Sequence, residues 1–316
     1  MPEQAFSERI ALGLTDLRIS PMGVGTWQWG DRMLWGYGRG YGEEDVRQAF
    51  EISLEAGVNF FDSAEMYGFG RSEELLGQHV RAASSPVITA TKFFPLPWRL
   101  RRKSLDRALR RSLGRLDMPS VDLYQMHWPM PLVSIETWMN ALADGVQAGL
   151  ARAVGVSNYN VKQTTRAHSA LAERGVPLAS NQIPYSMLDR RPEGNQLLET
   201  CNRLNVTVIA YSPLAQGLLT GKYTPENPPP GARGRRLKPG YLEALMPLIA
   251  LMSEIGMGHG GKSPAQVALN WVMCKGAVPI PGAKTAKQAK ENAGALGWRL
   301  SDDEVKALDA ASDMLE

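Results

Sequence analysis

The sequence has only two cysteines, no leader-like beginning and no long apolar run. Cys201 and Cys274 are far apart and form no Cys-x-x-Cys spacing, so they suggest neither a redox pair nor a zinc site and indicate a reducing compartment such as the cytoplasm. The first residues lack a basic region followed by an apolar run, and no stretch approaches the roughly 18 apolar residues of a membrane span. We therefore expect a soluble, unprocessed chain with no membrane partner.

The chain also lacks a marked excess of charge, with 35 Lys and Arg against 32 Asp and Glu among 316 residues. Such a small bias favours neither nucleic acid nor an anionic membrane as a partner, so any basic site has to be local. Pro and Gly, 21 and 31 residues, are too few for a collagen-like or low-complexity chain. A chain of this length can bury a substantial core. Because no boundary is visible, we expect one domain over residues 1–316.

The sequence does contain eight short apolar runs, each followed by a helical pattern. Apart from one gap, they begin about 27 to 36 residues apart, which is the length of one strand–helix unit. Near-continuous apolar strands suit a parallel sheet covered on both faces, and eight units predict a (β/α)8 TIM barrel. The predicted strands are Met22–Thr26, Val58–Ala64, Val87–Phe93, Val121–Trp128, Ala151–Asn158, Leu178–Tyr185, Val206–Pro213 and Ala277–Ala283.

Local signals place several other elements. Glu43–Ala56 has apolar residues at every fourth position and ends at Gly57, which predicts a helix. Ser263 and Ser301, each with Gln or Glu three residues later, predict two further helix starts. Before the first strand, Arg9–Leu12 and Leu17–Ser20 predict a β-hairpin that plugs the bottom of the barrel.

The exceptional gap separates the seventh and eighth strands and contains Pro225–Gly240, which is rich in Pro, Gly and Arg. This composition cannot build a core and predicts a long loop. Such a loop is either a floppy insertion or a lid over a binding site.

An open doubly wound sheet is the rival fold. Its usual Gly-x-Gly-x-x-Gly fingerprint is absent, because Gly23-Val-Gly25 is followed by Thr-Trp-Gln-Trp-Gly. Gly217-Leu-Leu-Thr-Gly221-Lys222 is one residue short of a phosphate loop, and Tyr223 stands where Ser or Thr would bind magnesium. Both differences favour the barrel.

Polar side chains stand where the predicted strands end, which is where barrels of this type assemble their active sites. Asp62 ends the second strand, Tyr67 follows it, Lys92 ends the third and His127 the fourth. A Tyr hydroxyl has a pKa near 10, and a neighbouring cation such as Lys92 would favour its anion. Asp62 would hold Lys92, and His127 could orient a substrate oxygen.

Each of these residues also has a purely structural interpretation. Asp62 could cap a helix, Lys92 could be solvated and Tyr67 half-buried in a loop. His127 could be a core histidine whose hydrogen bonds are satisfied. Their joint placement at strand ends favours the catalytic interpretation. His79, His168 and His259 lie elsewhere, and with no second ligand at metal spacing we expect no metal.

Over nearly its full length the chain resembles the aldo-keto reductase superfamily. Gly57-Val-Asn-Phe-Phe-Asp62-Ser-Ala-Glu-Met-Tyr67-Gly is similar to the family's first signature. Thr89-Ala-Thr-Lys92-Phe and Val121-Asp-Leu-Tyr-Gln-Met-His127-Trp-Pro carry the lysine and the histidine. The resemblance therefore implies a catalytic tetrad of Asp62, Tyr67, Lys92 and His127.

The resemblance also implies a nicotinamide cofactor, with NADP(H) favoured over NADH. It implies that Ser157, Asn158 and Gln182 hold the carboxamide and that Tyr211 stacks on the nicotinamide ring. It further implies that residues 212–217 with Lys222 bind the pyrophosphate and that residues 280–292 lie at the adenosine end. Positions 282, 288, 291 and 292 hold Gly, Gln, Glu and Asn, as in the branch with potassium-channel β subunits, pyridoxal reductases and plastid and bacterial reductases. Many other members have a different 2′-phosphate grip, which leaves Lys284 as the candidate cation. The implied cofactor residues are Gly25, Thr26, Trp27, Asp62, Ser157, Asn158, Gln182, Tyr211, Ser212, Pro213, Leu214, Gln216, Gly217, Lys222, Gly282, Lys284, Gln288, Glu291 and Asn292.

The implied activity is NADPH-dependent reduction of aldehydes or ketones. Trp27, Tyr67, Phe93 and Trp128 are candidates for the substrate pocket, with ordinary core packing as the alternative for the aromatics. A second hypothesis is a redox-sensing module that acts through a protein, as channel β subunits do. No partner-binding extension is visible, so we expect a small carbonyl substrate and no obligate protein partner. Pyridoxal, aromatic aldehydes, sugar-derived carbonyls and lipid-derived aldehydes all stay open as substrates.

Overall fold

A computed structural model of the chain describes residues 8–235 and 237–315. Eight strands form one parallel sheet in which each strand pairs with the next along the chain. Gly25 on the first of these strands bridges Gly282 after the last, so the sheet closes on itself. The strands are β3 (Val24–Gly25), β4 (Phe60–Asp62), β5 (Ile88–Phe93), β6 (Val121–Met126), β7 (Ala151–Ser157), β8 (Leu178–Pro184), β9 (Thr207–Tyr211) and β10 (Val278–Pro279). The predicted TIM barrel is confirmed.

The predicted hairpin is also present, as β1 (Ile10–Ala11) paired antiparallel with β2 (Arg18–Ile19). Leu12, Leu17 and Ile19 from this hairpin join a buried apolar cluster with inward-facing residues of the barrel strands, among them Phe60 and Leu123. The hairpin therefore closes one end of the barrel by burying apolar side chains.

A layer of helices surrounds the sheet. Those connecting the first strands are α1 (Glu43–Glu55), α2 (Arg71–Ala82), α3 (Arg102–Leu116), α4 (Ile135–Gln147), α5 (Val161–Ala172), α6 (Arg191–Gly194) and α7 (Leu197–Arg203). They are followed by α8 (Ala232–Arg235), α9 (Tyr241–Gly258), α10 (Pro264–Cys274), α11 (Ala286–Ala293) and α12 (Asp302–Asp313). Ser263 and Ser301 form capping boxes at α10 and α12, and α1 starts at Glu43 as predicted.

Helix α9 corrects the expectation that no segment approaches the length and apolar character of a membrane span. It has 18 residues with a mean hydropathy of 1.2, so by length and composition it could cross a membrane. The apolar character is spread among Ala, Met, Leu and Ile and is interrupted by Glu243 and Glu254, so no uninterrupted run reveals it. A third of the helix is buried, with Leu245 and Met252 fully so, and it packs against α10 and α12.

The long connection between β9 and β10 holds α8, α9 and α10, and α8 lies within the predicted loop, Pro225–Gly240. Pro229 and Leu237 from that loop help to line a cleft of about 450 Å³ beside Tyr211 at the end of β9. Its other walls come from the segments that follow β8 and β9. Two residues of the loop thus line a cleft at the rim of the barrel, and its role as a lid stays a prediction.

Candidate active site

The structure brings the four predicted catalytic residues to one rim. Lys92 is fully buried, and its Nζ donates to Asp62 Oδ2 at 2.5 Å, to the Ser63 carbonyl at 2.8 Å and to Tyr67 Oη at 3.3 Å. The ring of His127 lies edge-on to the ring of Tyr67, with 5.9 Å between their centroids. Asp62, Lys92 and Tyr67 therefore form one hydrogen-bonded chain that ends at a half-buried phenol.

The strand period explains this convergence. Asp62 and Lys92 each lie two residues beyond an inward-facing residue of the same strand, Phe60 in β4 and Ala90 in β5, so both point into the barrel. Tyr67 begins a tight 3-10 turn, Tyr67–Gly70, which folds the phenol back over the strand end. Within that turn Gly68 and Phe69 have φ values of 54° and 56°, a left-handed conformation that costs energy for Phe.

Two glutamines that sequence reasoning did not assign to this cluster complete it. Gln125 and Gln182 each donate from Nε2 to Asp62 Oδ1, at 2.9 and 3.0 Å. With Lys92 on the other oxygen, both oxygens of the buried Asp62 carboxylate are satisfied by hydrogen bonds. Gln125 could have been found from the sequence, because it lies two residues before His127 on the same face of β6.

The pKa values differ in part from the expectation. Burial raises the pKa of Tyr67 above its usual value of 10, and the opposing effect of the Lys92 charge does not cancel it. Lys92 thus acts in the predicted direction but is outweighed. Burial by itself disfavours the ammonium form of Lys92. The opposing effects of Asp62 and Tyr67 are larger together and raise the pKa of Lys92. At neutral pH the phenol is protonated and the lysine is charged.

The His127 ring makes no hydrogen bond to the part of the chain that the structure describes. Its Nδ1 is buried without a partner among residues 8–235 and 237–315. Burial, helped by the charge of Lys92, lowers the pKa of this imidazole from 6.5 to about 3. The ring is therefore neutral at physiological pH and can act as a hydrogen-bond donor or acceptor toward a bound molecule.

The residues predicted to hold the nicotinamide lie beside this cluster. Tyr211 Oη donates to Asn158 Oδ1 at 2.9 Å, which fixes the aromatic ring at the mouth of the barrel. Asn158 Nδ2 in turn donates to the His127 carbonyl at 3.1 Å, and Ser157 Oγ donates to the Gln182 carbonyl at 2.9 Å. A ring fixed in this way offers a flat apolar face for stacking. Gln182, however, uses its amide on Asp62.

The predicted pyrophosphate segment forms a second 3-10 turn, Ala215–Thr220, with an unusual backbone. Ser212, Ala215, Gln216 and Gly217 all have positive φ, and a Cβ at Gly217 would lie 3.1 Å from Lys222 Nζ. Ser212 and Gln216 line the 450 Å³ cleft. Tight turns of this kind and a nearby ammonium suit an anionic group. The side chain of Lys222 is exposed and lies against the Tyr223 ring, so it is available to such a group.

The predicted adenosine segment is partly tied up within the protein. Gln288 Oε1 accepts from the Lys284 amide, and Asn292 Nδ2 donates to the Gly282 carbonyl. Glu291 accepts from Ser263 Oγ, and Lys284 Nζ lies 4.3 Å from the centre of the Tyr41 ring. Gln288 and Asn292 thus shape the 282–284 loop. Just after β3, Thr26 is buried and its hydroxyl is hydrogen-bonded to Ser72 Oγ, whereas the next residue, Trp27, is exposed.

One of the predicted pocket residues, Phe93, points away from the barrel interior and does not line the pocket. Phe93 follows the inward-pointing Lys92, so it points outward and packs on Trp138 of α4 with 5.3 Å between centroids. Its neighbour Phe94 lies at the rim instead, 5.4 Å from the His127 ring centroid. Trp27 and Trp128 are 42% and 45% exposed, and the Trp27 ring is 6.1 Å from that of Tyr67.

Phe94 is held by a partly buried ion pair that the sequence did not indicate. Glu65 Oε1 accepts from the Phe94 amide at 2.7 Å and from Arg99 Nη1 at 2.5 Å. The same Arg99 nitrogen also donates to the Phe94 carbonyl, at 2.9 Å. Since Glu65 lies between Asp62 and Tyr67, this clamp links the segment carrying Tyr67 to the one carrying Phe94.

The site does not resemble a metal centre. Among the described ranges, 8–235 and 237–315, no group of three or more His, Cys, Asp or Glu side chains is arranged to hold a metal ion.

Comparison with known proteins shows which family the chain belongs to. The model of the family described as "Aldo/keto reductase family" matches residues 21–313. The chain is 42% identical over 313 residues to the chloroplastic pyridoxal reductase of Arabidopsis thaliana, covering 94% of this chain and 84% of that protein.

Solved structures agree as well. A glycerol dehydrogenase from Gluconobacter oxydans is 27% identical with a TM-score of 0.84, covering 98% of this chain and 95% of that one. An aldo-keto reductase from Klebsiella pneumoniae in complex with NADPH is 26% identical with a TM-score of 0.76, covering 96% and 94%. The chain therefore belongs to the aldo/keto reductase family and is an oxidoreductase whose cofactor is NADP(H).

Proposed function

We propose that this protein reduces aldehydes or ketones to alcohols with NADPH, using Tyr67 as the proton donor. The observation that supports this most is the hydrogen-bonded chain from Asp62 through Lys92 to the Tyr67 hydroxyl, buried at one end and half-open at the rim. A protonated phenol at a barrel mouth, next to a permanently charged ammonium, suits a reaction that leaves negative charge on an oxygen.

Bound NADPH supplies a hydride to the carbonyl carbon. Tyr67 then gives its proton to the carbonyl oxygen, and the Lys92 ammonium, 3.3 Å away, stabilises the phenolate that is left. Asp62 holds Lys92 in place through its own short hydrogen bond. The neutral His127 ring orients the carbonyl oxygen by a hydrogen bond and carries no competing charge.

For the cofactor, we assign the Tyr211 ring to stacking on the nicotinamide and the 212–217 turn with Lys222 to the pyrophosphate. Support comes from the fixed Tyr211 ring, the positive φ values of the turn and the exposed ammonium. Lys284 is assigned to the 2′-phosphate. Residues 1–316 act as one domain in this proposal, in a reducing compartment such as the cytoplasm.

The substrate is a small carbonyl compound whose ring or chain packs between Trp27, Phe94 and Trp128. An aromatic aldehyde fits such walls, and pyridoxal is a specific candidate because the similar plant protein is named a pyridoxal reductase. No observation favours the regulatory alternative over catalysis.

A Tyr67→Phe variant tests the proposal. It removes only the hydroxyl, so turnover of pyridoxal and a panel of aldehydes should fall about 10³-fold, within the range for loss of a general acid. The affinity for NADPH, followed by quenching of tryptophan fluorescence, should stay within about twofold because the ring remains. Turnover close to that of the parent protein would refute the role of Tyr67, and absence of NADPH-dependent turnover in the parent would refute the function.

A further inference from the structure

The surface of α3 is much more basic than the rest of the protein. Residues 99–115 contain eight Lys and Arg but one acidic residue, whereas the whole chain has 35 basic and 32 acidic residues. The apolar side of the helix, with Leu105, Leu109 and Leu113, packs into the core. The basic residues consequently stand on the outer side, and the near-neutral total charge conceals a local patch.

Four cations of this patch have no acidic partner. Arg101, Lys103, Arg107 and Arg111 are exposed, and none of them has a carboxylate within 4.0 Å in the described part of the chain. Three of these cations share one face of α3. Positions 103, 107 and 111 are four residues apart, so their side chains form one row about 12 Å long. Like charges at this spacing repel one another.

Arginines on two other helices, by contrast, have acidic partners. Arg47 on α1 pairs with Glu44 and Glu51, and Arg71 on α2 pairs with Glu43 and Glu74. The first turn of α3 also has no acidic residue, although Arg102 and Lys103 lie at its positive end. A row of repelling cations that the fold does not neutralise is a local cost, which points to an external negative charge.

Two exposed apolar side chains precede the row along the chain. Trp98 is 75% exposed and Leu100 is 39% exposed, and they alternate with Arg99 and Arg101 in the loop between β5 and α3. Trp has an apolar ring with one polar N–H and concentrates at membrane interfaces. Cations flanking Trp and Leu are typical of surfaces that bind anionic bilayers.

We propose that α3 and the 98–101 loop form a membrane-docking surface for anionic phospholipid bilayers. Trp98 and Leu100 enter the headgroup region, and the four unpaired cations contact lipid phosphates. The loop that carries Trp98 begins at Phe94, beside His127, so a docked protein holds its active-site mouth near the bilayer. The expectation of no membrane partner rested on the lack of a leader or a long apolar run and on the near-neutral total charge, and none of these reveals a local basic patch. Docking does not depend on the proposed reaction.

Vesicle sedimentation of the full chain tests the proposal. The protein should bind vesicles containing about 30% phosphatidylglycerol at low salt, bind phosphatidylcholine vesicles at least about tenfold more weakly, and dissociate as salt is raised. Arg107→Glu with Arg111→Glu should weaken binding at least about tenfold. Trp98→Ala should weaken it several-fold, by removing the interfacial ring.

A matched control separates this surface from charge in general. Lys162→Glu with Arg203→Glu reverses two exposed cations on α5 and α7 and changes the total charge equally, but should weaken binding less than about threefold. All variants should keep the circular dichroism spectrum of the parent.

Three results would overturn the proposal. They are no binding to anionic vesicles, an equal loss in the control pair, or tighter binding to a single-stranded oligonucleotide than to vesicles at the same salt and phosphate concentration. The last result would assign the surface to nucleic acid instead.

Discussion

Along β4, β5 and β6 the side chains that point into the barrel change from apolar to polar within two residues. Phe60, Ala90 and Leu123 belong to the cluster that the hairpin closes. Two positions later on the same strands stand Asp62, Lys92 and Gln125, which hydrogen-bond to one another. The strand period places the two sets in adjacent layers of one interior. The apolar set, which we call the lower layer, stabilises the barrel by burial. The polar set at the rim, the upper layer, lowers the stability because it holds charged groups in a buried position.

If this division is correct, Lys92→Met should have the largest effect, and it should lower both the stability of the fold and the rate of turnover. The substitution leaves Asp62 buried without its cation, so the free energy of unfolding should fall by about 3–5 kcal/mol. Turnover of aldehydes should fall about 10³-fold as the phenolate loses its stabilising charge. Urea unfolding and steady-state kinetics measure the two effects. A stable variant that keeps its activity would show that the upper layer is ordinary core.

In the lower layer, Leu123→Ala should separate stability from catalysis. Leu123 is fully buried in the hairpin-closed cluster, so truncation should cost about 2–5 kcal/mol of unfolding free energy. Turnover of the folded protein at low temperature should change less than about threefold, because Asp62, Lys92 and Gln125 keep their contacts. A large loss of turnover with unchanged stability would reverse the roles assigned to the two layers.

The neutral His127 should make stability depend on pH in a defined direction. Its pKa is lowered to about 3 in the folded protein, so between pH 6.5 and 3 the unfolded chain binds more protons at this residue. The stability contribution is complete above pH 6.5 and should fall by about 2 kcal/mol between pH 6.5 and 5. His127→Gln should reduce the pH dependence of urea unfolding by that amount. Equal slopes for parent and His127→Gln would contradict a buried neutral imidazole.

The smallest effects should come from the pair Phe93 and Phe94, which face opposite sides of the sheet. Phe94→Ala should raise KM for aromatic aldehydes roughly tenfold, the usual scale for one lost apolar contact. Phe93→Leu should leave KM within about twofold and lower the unfolding free energy by about 1 kcal/mol, because Phe93 packs on Trp138. The opposite pattern would restore Phe93 as the pocket residue.

The sequence predicted the barrel well because each strand has its own apolar run and each run ends in a polar residue. Side-chain direction was harder. Phe93 was assigned to the pocket by nearness to a strand end, although the alternation after Lys92 turns it outward. The Glu65–Arg99 clamp depends on contacts between segments distant in sequence, which no local pattern displays, whereas the spacing of Gln125 from His127 could have revealed Gln125. The pKa of Tyr67 required the extent of its burial, which only the folded chain provides.

The central claim, that the Tyr67 hydroxyl delivers the proton, is tested most directly by a single turnover. NADPH bound to the protein is mixed rapidly with a saturating aldehyde, and its absorbance is followed in the parent, in Tyr67→Phe and in Tyr211→Phe. We expect oxidation about 10³-fold slower in Tyr67→Phe, and within about fivefold of the parent in Tyr211→Phe, which keeps its ring. Equal rates for the parent and Tyr67→Phe would contradict the account.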